Sequence, residues 1–325
     1  MTTSGRIAYH NGIFIPEHEA RISVFDSALM FGDMVFEMTR SFNSKQFKLR
    51  EHLERLMAGV KILEIPLELS VSELEDICHQ VVEKNKPVFS RTDEHRLMIN
   101  ISRGPLAIYS DVFGGKVEPT VVVADFPLKW TVVNMGVLFD KGINAVIPSQ
   151  RAIPSSLMDP KIKNRSRLFY QTANIEVSKV KGDRNWALLL DPDGLITEGT
   201  GDNFFVVKDN VVISPEGRNI LRGISRDYIF QLCDQMDIEY CEKPIDAYDV
   251  YTADEAFMTG TPFCLLPVTS LNDVLISDGR VGKMSRRLLE RWSSNVDVDI
   301  EHQIKDWNRE TSEYRGVSPY QFVSP

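Results

Sequence analysis

Cysteine is scarce in this sequence. The 325 residues contain four, which are Cys78, Cys233, Cys241 and Cys264. No two of them form a C-x-x-C pair, the spacing typical of zinc sites and of dithiol redox centres. We therefore expect reduced thiols, no metal site and the reducing environment of the cytoplasm.

Long apolar runs and an excess of basic residues are also missing. No stretch of about 18 apolar residues occurs, and the first residues lack the basic and apolar regions of a signal peptide. Lys and Arg number 37 against 46 Asp and Glu, which gives a net charge of -9. Because nucleic acid and anionic lipid are also negative, we expect neither as a partner, and an anionic ligand must be held by a local site.

The composition that remains is that of a soluble globular protein, with 43% hydrophobic and 26% charged residues. At about 150 residues per domain, the length predicts two domains. We expect a small α+β domain at 1–125, an interdomain linker at 126–135 and a larger domain at 136–325. The larger domain ends in a polar tail after Trp307 that contains Tyr314 and Tyr320.

Local patterns predict the elements of both domains. Asn11-Gly12, between alternating residues, is typical of a β-hairpin turn, and apolar spacings of three and four predict helices. The predicted strands are 6–15 as a hairpin, 35–42, 46–50, 95–104 and 119–128. The predicted helices run from Arg50 to before Pro66, over 71–84 with Ser70 or Ser72 as its first cap, and over 163–180, 225–237 and 283–295.

The segment 155–207 has the most distinctive pattern in the chain. Lys163 opens a predicted helix, a strand follows, and the pair Glu198-Gly199 leads through a small-residue turn into the strand 203–207. This order resembles the core of the class IV aminotransferases, which include branched-chain and D-amino acid aminotransferases and aminodeoxychorismate lyases. The resemblance spans roughly residues 6 to 295, with its motifs in the same order.

The resemblance implies an α+β protein of fold type IV. Such enzymes have a small N-terminal α/β sandwich domain, a larger C-terminal pseudo-barrel domain, and pyridoxal 5'-phosphate (PLP) between the two. Family members are usually homodimers or higher homo-oligomers, so a second copy of the chain is the expected partner.

The family motifs also imply roles at the reactive end of the cofactor. Lys163 corresponds to the lysine that forms the Schiff base and moves the proton during catalysis, a task that needs an amine able to lose its own proton. Lys161, two residues earlier, is a rival. Glu198 corresponds to the acid that keeps the pyridine nitrogen protonated, which makes the ring an electron sink.

The cofactor phosphate requires amides and a cation. Gly223 precedes a predicted helix, so that the amides of Ile224 and Ser225 would point at an anion. Thr261, after Gly260, is the second expected phosphate contact by resemblance. Arg55, in an aromatic-x-x-x-x-H-x-x-R-L pattern, is the expected phosphate cation from the first domain.

The substrate side is less determined. By resemblance, Phe31, Phe36 and Arg40 line the pocket, although the two aromatic side chains are equally compatible with an ordinary core. Arg167 is either a donor to the cofactor O3' or a contact elsewhere, and Tyr170 receives no role. The substrate α-carboxylate anchor stays open, and its candidates are Arg40, Arg96, Arg103 and the backbone amides near Thr261-Pro262.

The expected activity is transfer of an amino group from an amino acid to a 2-oxo acid such as 2-oxoglutarate. Branched-chain L-amino acids are the favoured donors on the family resemblance. D-amino acid or (R)-amine transamination, a PLP lyase of the aminodeoxychorismate type and a non-catalytic protein that keeps the fold are the alternatives.

Overall fold

The computed structural model describes residues 5–310. The predicted polar tail therefore lies largely outside the described residues, with Tyr314 and Tyr320 in it. The chain divides into two compact units. The first contains the residues up to Leu128 together with Ile162–Arg167, and the second contains Lys129–Lys161 and the residues from Leu168 onward. The chain leaves the first unit inside the segment 126–135 that the sequence assigns to a linker.

The strands and helices follow each other in a mixed order along the chain. The strands are β1 Ile7–His10, β2 Ile13–Pro16, β3 Met34–Met38, β4 Ser41–Phe42, β5 Lys45–Gln46, β6 His95–Ser102, β7 Thr120–Pro127, β8 Ile143–Val146, β9 Asn185–Leu190, β10 Ile196–Gly199, β11 Asn203–Lys208, β12 Val211–Ser214, β13 Tyr240–Glu242, β14 Glu255–Gly260, β15 Cys264–Leu271 and β16 Val274–Leu275. The α-helices are α1 Ser27–Phe31, α2 Leu49–Ile62, α3 Val71–Asn85, α4 Lys129–Val132, α5 Leu138–Lys141, α6 Leu168–Val177, α7 Ile224–Gln235, α8 Ala247–Tyr251, α9 Lys283–Val296 and α10 Ile300–Glu310.

The first unit is built on an antiparallel sheet with the strand order β2-β1-β7-β6-β3. The predicted hairpin is confirmed, because β1 pairs with β2 in register and Asn11 and Gly12 both have positive φ. Helices α2 and α3 cover one face of the sheet and form a core with Leu53, Leu97 and Ile99, which are fully buried.

Helix α3 begins where its sequence predicts. Ser70 is the N-cap: its hydroxyl accepts a hydrogen bond from the Glu73 amide, and the Glu73 carboxylate accepts one from the Ser70 amide. This capping box satisfies two amides that the helix leaves without partners. Of the two serines that the sequence left open, Ser70 is therefore the cap.

Three predicted elements differ from the structure. The strand 35–42 stops at Met38 and resumes as β4, and the strand 46–50 is only the two-residue β5, because helix α2 already begins at Leu49. The helix predicted at 163–180 begins at Leu168 instead. The reason is that residues 163–165 pair with β3: the Phe36 amide donates to the Lys163 carbonyl, and the Arg165 amide donates to the Met34 carbonyl.

The second unit contains a closed ring of strands. Its order is β10-β9-β8-β15-β14-β11, and β11 pairs back onto β10 through Glu198 and Asn203. Six strands thus close on themselves, as expected for the pseudo-barrel, while β12 and β13 extend the sheet beyond β11. Helix α9 contacts β14 and β15 and buries Trp292.

Within residues 5–310, no helix is long and apolar enough to cross a membrane. The same residues contain no group of three His, Cys, Asp or Glu side chains placed to hold a metal ion.

Candidate active site

Lys163 lies in an extended segment of the first unit. Its neighbour Asn164 forms a β-bridge with Val35, and the Lys163 carbonyl accepts from the Phe36 amide at 3.0 Å. The Lys163 ammonium nitrogen Nζ is 5.0 Å from the centroid of the Phe36 ring. Pairing with β3 therefore fixes the backbone of the lysine, and the side chain extends over an aromatic ring that is itself buried.

Two further cations lie over the same ring. The guanidinium carbon Cζ of Arg165 is 3.6 Å from the Phe36 centroid, and that of Arg167 is 5.4 Å away. Arg165 also donates from Nη2 to Oδ1 of Asn100 at 3.0 Å. Burial and the neighbouring Arg167 charge lower the pKa of Arg165 to about 10. Three positive side chains thus converge at Phe36.

Arg55 is held by a buried acid that the sequence analysis did not identify. Nε and Nη2 of Arg55 donate to the two carboxylate oxygens of Glu37 at 2.6 and 2.8 Å. The imidazole Nδ1 of His52 is 2.7 Å from Oε2 of the same glutamate. Glu37 and His52 are fully buried, so the Arg55 side chain is fixed in a two-point ion pair.

Opposing effects set the protonation of this trio. Burial raises the pKa of Glu37, but the Arg55 and His52 partners and their hydrogen bonds outweigh it and hold the pKa far below 4.5. Burial lowers the pKa of His52, and the Glu37 charge offsets only part of that shift. Glu37 is therefore ionised and His52 is neutral at pH 7, with its Nδ1–H donating to Glu37.

The three arginines that the sequence offers as anchors for the substrate α-carboxylate each have different contacts. Arg40 is almost fully buried, with its guanidinium 3.8 Å from the Phe42 ring centroid. Arg96 is buried and donates to Sδ of Met38 at 3.6 Å. Arg103 pairs with Asp33 and donates to the carbonyls of Leu63 and Glu64, which close the end of α2.

Phe31 ends the short helix α1 and is 66% exposed. The buried carboxylate of Asp26 caps this helix by accepting from the Ala28 amide, and it also accepts from the hydroxyls of Ser102 and Thr120. Asp26 thus ties α1 to strands β6 and β7, and the apolar Phe31 side chain stays at the surface of the first unit.

Glu198 lies in the barrel of the second unit and is 5% exposed. Its Oε1 accepts from the Tyr170 hydroxyl at 2.8 Å, while Oε2 accepts from Asn203 Nδ2 at 2.9 Å and from the Leu221 amide at 3.0 Å. These three neutral donors fix the orientation of the carboxylate.

The two glycine turns of the second unit have different positions, one before helix α7 and one between strands β14 and β15. Gly223 is the N-cap of α7 and has no side chain to occupy the first helical amides, those of Ile224 and Ser225. A Cβ at Gly223 would lie 2.1 Å from Oδ1 of Asn203, so the network of Glu198 packs directly against this turn. Thr261 and Pro262 form the turn between β14 and β15.

This part of the second unit fits a cofactor with a pyridine nitrogen and a phosphate. Thr259 lies opposite Asn203 in the β11–β14 register. Its hydroxyl is buried and has no hydrogen-bond partner within residues 5–310. A buried acid, an unpartnered hydroxyl and helix amides without a capping side chain are the groups that bind a protonated ring nitrogen and an anion.

Sequence reasoning missed Glu37 and Asn203 and gave Tyr170 no role. A signal for Glu37 was present: strand alternation puts it on the face opposite Phe36, toward the core, where an acid needs a partner. His52 and Arg55, three residues apart on one helix face, could supply it. Asn203 also had a local signal, because it lies five positions after Glu198, across the small-residue turn. No local pattern pointed to Tyr170, because its contact with Glu198 depends on how helix α6 packs against β9.

Comparison with known proteins identifies the family. The sequence pattern of the Amino-transferase class IV family matches residues 34–271. A putative branched-chain-amino-acid aminotransferase from Methanocaldococcus jannaschii is 34% identical over 285 residues, which cover 87% of this chain and 94% of the relative. The branched-chain-amino-acid aminotransferase of Escherichia coli (strain K12) is 30% identical over 291 residues, covering 86% of this chain and 89% of the relative.

Solved structures agree with the sequence relatives. The T.th. branched-chain amino acid aminotransferase complexed with N-(5'-phosphopyridoxyl)-L-glutamate superposes with a TM-score of 0.80 at 28% identity, covering 90% of this chain and 94% of that one. The Escherichia coli enzyme has a TM-score of 0.78 at 28% identity, covering 89% and 94%. The chain therefore belongs to the class IV aminotransferases and is a PLP-dependent aminotransferase of fold type IV, similar over most of its length to branched-chain aminotransferases.

Proposed function

We propose that the protein transfers the amino group of a branched-chain L-amino acid to a 2-oxo acid, with 2-oxoglutarate as the acceptor. The observation that carries the choice of donor is an apolar surface beside Phe36. Met38 and Met98 are paired directly in register, and both lie on the Phe36 face of the sheet. The half-buried methionines offer a flexible apolar wall for a branched aliphatic side chain. The names of the relatives favour the same donors.

Lys163 is the residue that we propose to carry the cofactor and to move the proton. PLP, when bound, supplies an electron sink for the negative charge that develops at the substrate Cα. The Lys163 amine would take the proton from Cα and deliver it to the cofactor C4' carbon. The Phe36 ring and the backbone pairing with β3 would hold its aliphatic chain during that transfer.

Glu198 would accept a hydrogen bond from the protonated pyridine nitrogen. Its three donors already orient the carboxylate, so it would not need to reorganise when charge develops in the ring. The phosphate would be bound by the amides of Ile224 and Ser225, by Thr261 and by Arg55. Glu37 would keep the Arg55 guanidinium in place for this role. Arg167 would donate to the cofactor O3'.

For the substrate, Phe31 and Phe36 would form apolar walls. The α-carboxylate would be anchored by Arg40, Arg96 or the backbone at Thr261-Pro262. The pairing of Arg103 with Asp33 and with two backbone carbonyls supports a structural role for this arginine instead. Two half-reactions at one site give ping-pong kinetics.

Turnover of matched amino donors tests the proposal. L-leucine, L-isoleucine and L-valine should give glutamate from 2-oxoglutarate with kcat/KM at least about tenfold above their D-enantiomers and above (R)-1-phenylethylamine. Preference for a D-amino acid or the amine would contradict the donor assignment. Release of pyruvate from aminodeoxychorismate without an amino acceptor would indicate the lyase instead.

We further propose that two copies of the chain form a homodimer through the first unit. Exposed apolar side chains cluster on two neighbouring segments, 22–31 and 105–113. Phe25 brings them together by packing on Tyr109 and Phe113, with ring centroids 4.8 and 6.3 Å apart. The exposed members are Ile22, Val24, Leu29, Met30, Phe31, Ile108 and Val112. Exposed apolar side chains that cluster on neighbouring segments are typical of a protein interface.

A further inference from the structure

Arg165 is a half-buried cation in a positive environment. Its guanidinium stacks on Phe36, and within residues 5–310 its only side-chain hydrogen bond goes to the neutral Asn100. The charged groups that share the ring are Lys163 and Arg167, both of the same sign. Across residues 5–310, no carboxylate forms an ion pair with Arg165. Its charge therefore has no counter-ion in the part of the chain that the structure describes.

The contacts of Arg165 offset only part of the free energy that is lost when its guanidinium is removed from water. A cation–π contact and one hydrogen bond to a neutral amide recover less free energy than removing a guanidinium from water costs. The pKa of Arg165 falls to about 10 because of burial and Arg167, and the group still keeps its proton at neutral pH. An anionic ligand would supply the missing interaction, and the planar guanidinium is suited to bind a carboxylate through two hydrogen bonds.

We propose that Arg165 binds a carboxylate of the amino-acid or 2-oxo-acid substrate. The inference rests on the proposed function, because it takes Lys163 as the place where the substrate reacts. The Lys163 amine and the Arg165 guanidinium lie within 5.0 and 3.6 Å of one ring centroid. A compact amino acid that reacts at the lysine can therefore reach Arg165 with a carboxylate. Every substrate of the proposed reaction carries at least one.

Two carboxylates could fill this place. A branched-chain donor offers only its α-carboxylate, whereas 2-oxoglutarate has a distal carboxylate as well. Asn100, which holds Arg165, is directly opposite Phe36 in register and two residues from Met98 on the same strand face. Arg165 is thus next to the apolar surface that we assign to the donor side chain, and the distal carboxylate of the acceptor would occupy the same area in the second half-reaction.

The test measures binding of three non-reacting molecules to the PLP-loaded enzyme by calorimetry. Glutarate carries two carboxylates, 4-methylpentanoate carries one, and 4-methylpentanamide is the neutral counterpart of the latter. The variants are Arg165→Met, which keeps apolar contact with Phe36, and Arg165→Lys, which keeps the charge but not the planar two-point geometry. Arg280→Met removes an arginine that is 85% exposed and is the matched control.

If Arg165 binds the α-carboxylate, Arg165→Met weakens the binding of both acids about 10- to 100-fold and leaves the affinity for the amide unchanged. If it binds the distal carboxylate, only glutarate loses affinity. In both cases Arg165→Lys recovers part of the loss and Arg280→Met changes nothing. The inference would be overturned if Arg165→Met left the Kd values of both acids unchanged, whether or not PLP binding became weaker. It would also be overturned if the variant weakened binding of the amide as much as binding of the acids.

The outcome is separable from that of the proposed function. Calorimetric Kd values need no turnover, so a protein that rejects branched-chain donors would fail the kinetic panel and still show the carboxylate effect. Thermal unfolding of each variant identifies a folding defect. If Arg165→Met does not fold, Arg165→Lys alone still tests the inference. Compared with the wild type, its Kd values for the acids must rise more than its Kd value for the amide.

Discussion

At the scale of single residues, the polar side chains of the candidate site are held in place by neighbouring side chains of the same unit. Glu37 holds both the Arg55 guanidinium and the His52 ring, and Tyr170 and Asn203 hold Glu198. Buried polar groups of this kind are costly unless each hydrogen bond is made. Their function is to position charge, so their loss should be visible in stability as well as in catalysis.

The buried His52 makes the stability of the protein depend on pH. Its pKa is lowered from 6.5 in the folded state, so the unfolded chain binds the proton first as pH falls through 6.5. The free energy of unfolding should therefore decrease between pH 7 and pH 5, by up to about 1.4 kcal/mol per pH unit. Glu37 adds to the loss only below about pH 4.5, because its folded pKa lies under that value.

Urea unfolding of the wild type and of His52→Gln checks this prediction. Glutamine can still donate to Glu37 but does not titrate, so the variant should lose less stability between pH 7 and pH 5. Equal losses in the two proteins would show that another group controls the acid response.

At the scale of elements, the turn before α7 lies between Asn203, which holds the acid Glu198, and the helix amides that we propose for the cofactor phosphate. A Cβ at Gly223 would meet Oδ1 of Asn203 at 2.1 Å. Gly223→Ala should therefore displace Asn203, remove its hydrogen bond to Glu198 and weaken PLP binding about 10- to 100-fold. Fluorescence titration of the apoenzyme with PLP gives this affinity.

A double-mutant cycle shows whether Asn203 transmits the effect of Gly223→Ala. In an Asn203→Ala background there is no side-chain amide at position 203 to displace. Gly223→Ala should therefore weaken PLP binding much less in that background. An equal cost in both backgrounds would mean that the alanine acts on the α7 amides directly.

Some secondary-structure elements could be predicted from the sequence and others could not. The hairpin at Asn11-Gly12 and the cap at Ser70 were predictable, since both depend on residues within a few positions of each other. The start of α6 was not, because Lys163 and Arg165 give up helical geometry for hydrogen bonds to β3, more than 100 positions away in the chain. The cation cluster on Phe36 was equally hidden, since only that pairing brings the three basic side chains to one ring.

At the scale of the whole molecule, the exposed apolar cluster of the first unit predicts association. Light scattering coupled to size exclusion should give the mass of a dimer or a higher even oligomer. Ile108→Glu places a charge at a residue that is 78% exposed in one chain and should shift the population toward monomer without lowering the folded content. Thr92→Glu, at an exposed position outside the cluster, is the control. A wild-type monomer would exclude the proposed interface.

We propose that Lys163 carries the cofactor, and the alternative is Lys161, whose Nζ pairs with Asp159 at 2.8 Å. Borohydride reduction of the PLP-loaded enzyme fixes the cofactor to its lysine, and peptide mass mapping then locates it. We expect the added mass on Lys163, its absence in Lys163→Ala and its retention in Lys161→Ala. Added mass on Lys161 in the wild type, or retention of the label in Lys163→Ala at another lysine, would show that Lys163 does not carry the cofactor.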